Sequence, residues 1–160
     1  CKDETVKQAF LFACFCGLRI SDVRTLRWAD IGKGTEGYYI SKLMVKTRHV
    51  VTVPLSENAL SWMPARGQAR ADDKVFELPS FFSVNYRLKQ WAREAGIDKP
   101  VTFHVSRHTF ATTLLTMGVD LYTTSKLLGH QNIITTQVYA EIVNRKKVEA
   151  VNLLDQIKPL

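Results

Sequence analysis

His104-Val105-Ser106-Arg107-His108-Thr109-Phe110-Ala111-Thr112-Thr113 is the stretch from which the rest of the chain is read. It reads as the opening of an amphipathic helix, with Phe110, Leu114 and Met117 at helical spacing and expected to face a core. His104, Arg107 and His108 stand at i, i+3 and i+4, so they share one helical face. That face joins a permanent cation to two groups that gain or lose a proton near neutral pH. A purely structural helix has little use for such a set beside an apolar stripe. A phosphate would use it. The two histidines also suggest zinc, but the glutamate of an H-E-x-x-H site is replaced by Val105, and no metal is expected.

The surrounding composition fits a cytoplasmic, nucleic-acid-associated protein. With 160 residues, 46% hydrophobic and 23% charged, the chain suits one globular domain with a real core. Its best apolar run, Ala9 to Leu18, is broken by Gly17 and falls short of the roughly 18–20 residues that span a bilayer. Asp3 and Glu4 accompany the early Lys2 and Lys7, and no A-x-A-like cleavage site follows, so no secretory signal is read. Of the three cysteines, Cys14 and Cys16 lie in an apolar helical context and read as reduced core thiols. A net charge of +7 points to a polyanionic partner, most simply nucleic acid.

The pattern along the chain predicts a mainly α domain with a small antiparallel β-sheet. A helix from Glu4 to Cys16 is closed by Gly17. A second, short helix takes Ser21 as its N-cap and turns Val23 and Leu26 inward. Gly32 to Gly37 reads as a polar turn. Tyr38 to Val45 and Val50 to Val53 read as strands, paired as a hairpin across Lys46-Thr47-Arg48-His49. Ser56 caps a helix to about Met63, Ala65 to Lys74 is a surface loop, and Val75 and Phe76 form a short strand. Helices then run from Ser83 to Ala95, from His104 to Gly118 and, capped by Asp120, from Leu121 to Leu128. Another helical piece holds Tyr139, and a last helix starts at Asn144 and reaches about Ile157.

Several ionisable side chains admit both a plain reading and a chemical one. Arg19, between two helices, is either a surface arginine or a fork for a phosphate. Asp22 is either a first-turn acid or a brace behind Arg19. Arg24 and Arg27 add positive field on the same segment. Lys46 at the hairpin tip is either a solvated charge or an ammonium that protonates a leaving oxygen, with Lys42 and Arg48 as competitors. His108 reads first as a hydrogen-bonded core histidine. Tyr139 reads as half-buried packing, or as a nucleophile towards phosphorus if its phenol loses its proton during attack.

Taken in order, these pieces resemble one known family. Arg19 within Gly17-Leu18-Arg19-Ile20-Ser21-Asp22, Lys46 in a hairpin, His104-x-x-Arg107-His108, Leu127-Leu128-Gly129-His130 and Tyr139-Ala140 together resemble the catalytic domain of the tyrosine recombinases, the phage integrase-like enzymes. The nine-residue step from His130 to Tyr139 matches the family's usual spacing. The resemblance implies that fold for residues 1–160, and implies that the N-terminal DNA-clamping domain usual in the family is absent from this chain. It implies that Arg19, Arg107 and His130 bind the scissile phosphate, and that His104 bonds the phosphate or takes the phenol proton. Tyr139 would be the nucleophile, Lys46 the general acid and Asp22 the brace of Arg19, while His108 would give support from the core. Arg19, Lys46, Arg48 and Arg107 would contact DNA.

The same resemblance implies strand cleavage and rejoining (integration or excision) through a 3′-phosphotyrosine, with no cofactor. Double-stranded DNA would be the partner. A homotetramer on paired sites is expected, and a monomer or weak self-association without DNA. Other readings are a catalytically silent DNA-binding module of the same fold, a type IB topoisomerase-like relaxing enzyme, and a generic helical interaction domain.

Overall fold

The computed structural model of the chain describes residues 3–139 and 151–152. Helix α1 (Glu4–Cys16) runs through the centre of the molecule, and Val6, Ala9, Phe10, Phe12, Ala13 and Cys16 are all buried on it. Asp3 caps it, accepting from Val6 N at 3.0 Å, and Gly17 closes it. Phe10 meets Phe103 edge-on at 5.9 Å and Trp91 at 6.2 Å, while Phe12 packs on Phe76 at 5.2 Å. Burial on several sides explains why α1 reads as almost uniformly apolar. Cys14 is half-buried and Cys16 buried, both as free thiols, and desolvation pushes each thiol up to about 12.

Helix α2 (Ile20–Arg24) is capped at Arg19, not at Ser21 as expected, because the chain leaves Gly17 extended only as far as residue 19. A 3₁₀ turn, Trp28–Asp30, leads into a three-stranded antiparallel sheet ordered β1 (Ile31–Gly34), β2 (Gly37–Leu43), β3 (Val50–Pro54). The β2–β3 hairpin was expected. Strand β1 was not, since Ile31-Gly32-Lys33-Gly34 carries turn residues. It forms because Gly32 lies opposite Tyr39 in the register and the Tyr39 ring covers it. A Cβ at position 32 would stand 2.4 Å from Tyr39 Cζ. Ile40 and Val53, paired across β2 and β3, are both buried beneath the sheet.

Helix α3 (Glu57–Ser61) is capped by Ser56 as expected but stops before Trp62. Val75 and Phe76 are buried without forming a strand. The pairing there is an isolated bridge between Arg27 and Lys74. Helix α4 (Phe81–Glu94) begins earlier than expected because Ser80, not a later serine, accepts from Ser83 N at 3.2 Å.

Helix α5 (His104–Thr116) is the opening stretch. Its buried face is Ser106, Arg107, Phe110, Ala111 and Leu115; Leu114 is half-buried and Met117 is 78% exposed. Phe110 thus faces the core as expected and Leu114 does so in part, while Met117 does not and Leu115 takes the buried place at that end of the helix. Helix α6 (Leu121–Leu127) is capped by Asp120, which accepts from Thr123 N at 2.8 Å. A 3₁₀ segment, Ile133–Tyr139, ends on Tyr139. Phe110, Ala111, Leu115, Leu128 and Tyr139 form a second core cluster, separate from the main one around α1. The helix expected from Asn144 lies largely outside the described residues. Among those described, no helix is long and apolar enough to cross a membrane.

Candidate active site

One pocket is lined by Arg19, Lys46, His104 and Arg107, with Phe82 and Asn85 of α4 at its edge. The four polar side chains come from three separate places: the α1–α2 turn, the β2–β3 connection and α5. Phe81 and Phe82 at the start of α4 are 60% and 80% exposed beside this cationic pocket.

Arg107 is the deepest of the four. Its Nη1 donates to Gly17 O at 2.7 Å and its Nη2 to Leu128 O at 2.6 Å. Those carbonyls follow α1 and α6, where helix ends leave acceptors unsatisfied. One guanidinium thus caps two helix C-termini from a third helix, with N–H groups to spare. Burial and the neighbouring Arg19 charge push it down to about 10, well above neutral pH, so it remains a cation.

Arg19 is half-buried, and desolvation lowers it despite the nearby Asp22 carboxylate. Its Nη1 is buried without a hydrogen-bond partner among the described residues. Asp22, expected to brace Arg19, instead accepts from Val45 N through Oδ1 at 2.7 Å, and no Arg19–Asp22 ion pair forms among the described residues. Asp22 is fully buried, so it anchors the base of the hairpin next to Lys46. The competitor Lys42 is committed elsewhere: its Nζ donates to Thr25 O at 2.8 Å and pairs with Asp30 Oδ2 at 3.0 Å in a buried position. Arg48 is exposed, with φ +56° in the turn, and does not line the pocket. Arg24 and Arg27 donate to the carbonyls of Pro79 and Asp72.

The hairpin is held from its other side as well. Gln131 Nε2 donates to Thr47 O at 3.2 Å. Gly129 has φ +64°, and a Cβ there would stand 2.8 Å from Val51 Cγ2. Position 129 therefore requires glycine for its backbone and for the approach of β3. Neither Gln131 nor Val51 was singled out by the sequence reading, because both act across a long loop.

His104 is exposed at the pocket wall; desolvation, then His108, Arg107, Arg19 and Lys46, hold its proton affinity down. His130 does not line this pocket. It is half-buried, its Nδ1 lies 2.8 Å from Thr136 Oγ1, and burial with the Arg107 and Arg19 charges pushes it down to about 4. His130 is thus neutral at pH 7. Tyr139 is buried, and its hydroxyl lies 2.8 Å from His108 Nδ1. Desolvation raises the phenol and the Arg107 charge opposes that rise. His108 is half-buried, not a core residue, and its ring stands between Tyr139 (centroids 5.7 Å) and His104 (4.6 Å). Among the described residues no third His, Cys, Asp or Glu joins the two histidines in a metal-holding group.

Comparison with known proteins places this geometry in context. Residues 1–145 match the model of the phage integrase family. A tyrosine recombinase of Pseudothermotoga lettingae is 33% identical over 147 residues, covering 89% of this chain and 51% of that protein. Tyrosine recombinase XerD of Proteus mirabilis is 34% identical, covering 91% of this chain and 51% of that one. The chain therefore spans about half the length of these relatives. The crystal structure of XerA recombinase superposes with a TM-score of 0.73 at 21% identity, over 93% of this chain and 57% of that one. XerH recombinase bound to its difH substrate gives a TM-score of 0.67 at 19% identity, over 85% and 43%. These two likenesses concern the fold.

Proposed function

The chain belongs to the phage integrase family, and from that premise we propose that it cleaves and rejoins DNA at specific sites through a covalent 3′-phosphotyrosine intermediate. The observation that carries this reading is the convergence of Arg19, Lys46, His104 and Arg107 on one pocket, with a buried Arg19 N–H that lacks a partner among the described residues. A buried donor of this kind calls for an acceptor, and a non-bridging phosphate oxygen is one.

In this reading Arg19, Arg107 and His104 hold the scissile phosphate and neutralise the charge that grows on its oxygens. His130, tied to Thr136, adds a neutral donor. Tyr139 attacks phosphorus, its Oη–P bond replaces the P–O5′ bond, and Lys46 gives the leaving 5′-oxygen its proton. A 5′-hydroxyl of another strand then reverses the exchange. Each step trades one phosphoester for another, so bond energy is kept and no nucleotide cofactor is called for. Double-stranded DNA is the partner, four protomers act on paired sites, and residues 1–160 supply the catalytic domain.

A duplex nicked near the cleavage point, so that the short product diffuses away, tests the reading. Wild-type protein should accumulate covalent protein–DNA, with mass spectrometry placing the phosphodiester on Tyr139. Tyr139→Phe should bind the duplex and form no adduct. Binding without any wild-type adduct would leave a DNA-binding module instead.

A further inference from the structure

The resemblance implies that His104 either bonds the phosphate or takes the phenol proton, but the hydrogen bond of Tyr139 runs to a different histidine. Among the described residues the hydroxyl of Tyr139 has one hydrogen-bond partner, His108 Nδ1 at 2.8 Å. His104 makes no such bond among the described residues; its ring and that of His108 meet in a T-shape, 4.6 Å between centroids. His130 is turned to Thr136. Arg107 has only donors and cannot receive a proton. Desolvation, and after it the neighbouring charges, lower the proton affinity of both His104 and His130.

We propose that His108 is the general base of strand cleavage, a catalytic residue that touches the attacking oxygen. The inference rests on the recombinase reading above and deepens it. In the forward step the Tyr139 Oη–P bond forms and the P–O5′ bond breaks. The phenol proton passes to His108 Nδ1, and the 5′-oxygen takes its own from Lys46. In rejoining, the same imidazolium returns the proton to the departing phenolate, as reversibility requires. Nδ1 must then be the unprotonated nitrogen at rest, with the hydrogen on Nε2.

Two measurements test this. The first compares His108→Asn with wild type in single-turnover adduct formation on the nicked duplex. Asn places an amide oxygen where Nδ1 stood, so it keeps the acceptor and cannot hold a proton. Adduct formation should slow by on the order of a hundredfold with DNA binding unchanged. The same slowing should persist on a duplex whose leaving oxygen is replaced by sulfur. A thiolate departs without a proton, so a defect that survives the replacement belongs to the phenol and not to the leaving group. A wild-type rate in His108→Asn overturns the assignment while leaving the recombinase reading intact. Failure of the wild type to form any adduct overturns that reading itself. The second needs no turnover. Nitrogen NMR of histidine-labelled protein should show His108 with a bare Nδ1 whose shift moves in Tyr139→Phe. A protonated Nδ1 at rest overturns the proposal, even if His108→Asn fails to fold.

Discussion

The guanidinium of Arg107 touches Gly17 O and Leu128 O before it touches any substrate. Removing it leaves two buried carbonyls at helix ends without a donor, each worth about 1–3 kcal/mol. Arg107→Ala should therefore lower thermal stability as well as slow cleavage by on the order of a hundredfold. Tyr139→Phe, which loses one hydrogen bond worth about 1 kcal/mol, should melt near wild type. Melting curves of the two variants beside their adduct yields separate the roles. An Arg107→Ala protein with unchanged melting would mean that the carbonyls find other donors. The order of the motifs singled out Arg19, Lys46, His104 and Arg107, which line one pocket, while His130 and Tyr139 lie outside its lining. The double cap by Arg107 was not legible in the sequence, since Gly17 and Leu128 lie far from it along the chain.

The hairpin β2–β3 is the element that delivers Lys46, and it is fastened on two sides. Asp22 accepts from Val45 N at 2.7 Å on one side, and Gln131 donates to Thr47 O at 3.2 Å on the other. Gln131 is exposed, so Gln131→Ala should change stability by less than about 0.5 kcal/mol. It should still reduce single-turnover cleavage several-fold, because the lysine tip loses a tether, with DNA affinity unaltered in gel shifts. An unchanged cleavage rate would assign the fastening to Asp22 and Val51 alone. The hairpin itself was legible from alternating apolar residues around a polar turn. Strand β1 was not: its pairing depends on the Tyr39 ring covering Gly32, a contact that no local propensity encodes. On α5 Phe110 is buried as its spacing predicts, whereas Met117, at the C-cap, is exposed and the buried face takes the charged Arg107.

At the scale of the whole molecule, proton uptake opposes folding on the acid side. His130 is pushed down to about 4 and His104 is also lowered, both mainly by desolvation. Between about pH 6.5, where a free imidazole titrates, and pH 4 the unfolded chain binds more protons than the folded one. Stability should be fully present above that window and fall as pH drops through it. Urea midpoints at pH 7.5 and 5.5 should differ for wild type, and His130→Gln should narrow the gap. An equal gap in the variant would remove His130 as a cause.

The approach of β3 to Gly129 has a consequence for descent. A side chain at 129 meets Val51 Cγ2 and must also adopt φ +64°. Shrinking Val51 relieves the first obstacle and leaves the second, which only glycine, or less readily asparagine, satisfies. A lineage can therefore vary position 51 while position 129 stays glycine, but not the reverse. Where 129 does change, the change should be to asparagine and should be preceded by a smaller residue at 51. The Gly-His pair that reads as a catalytic signature is, in its first residue, a historical record of where the sheet rests on the helices.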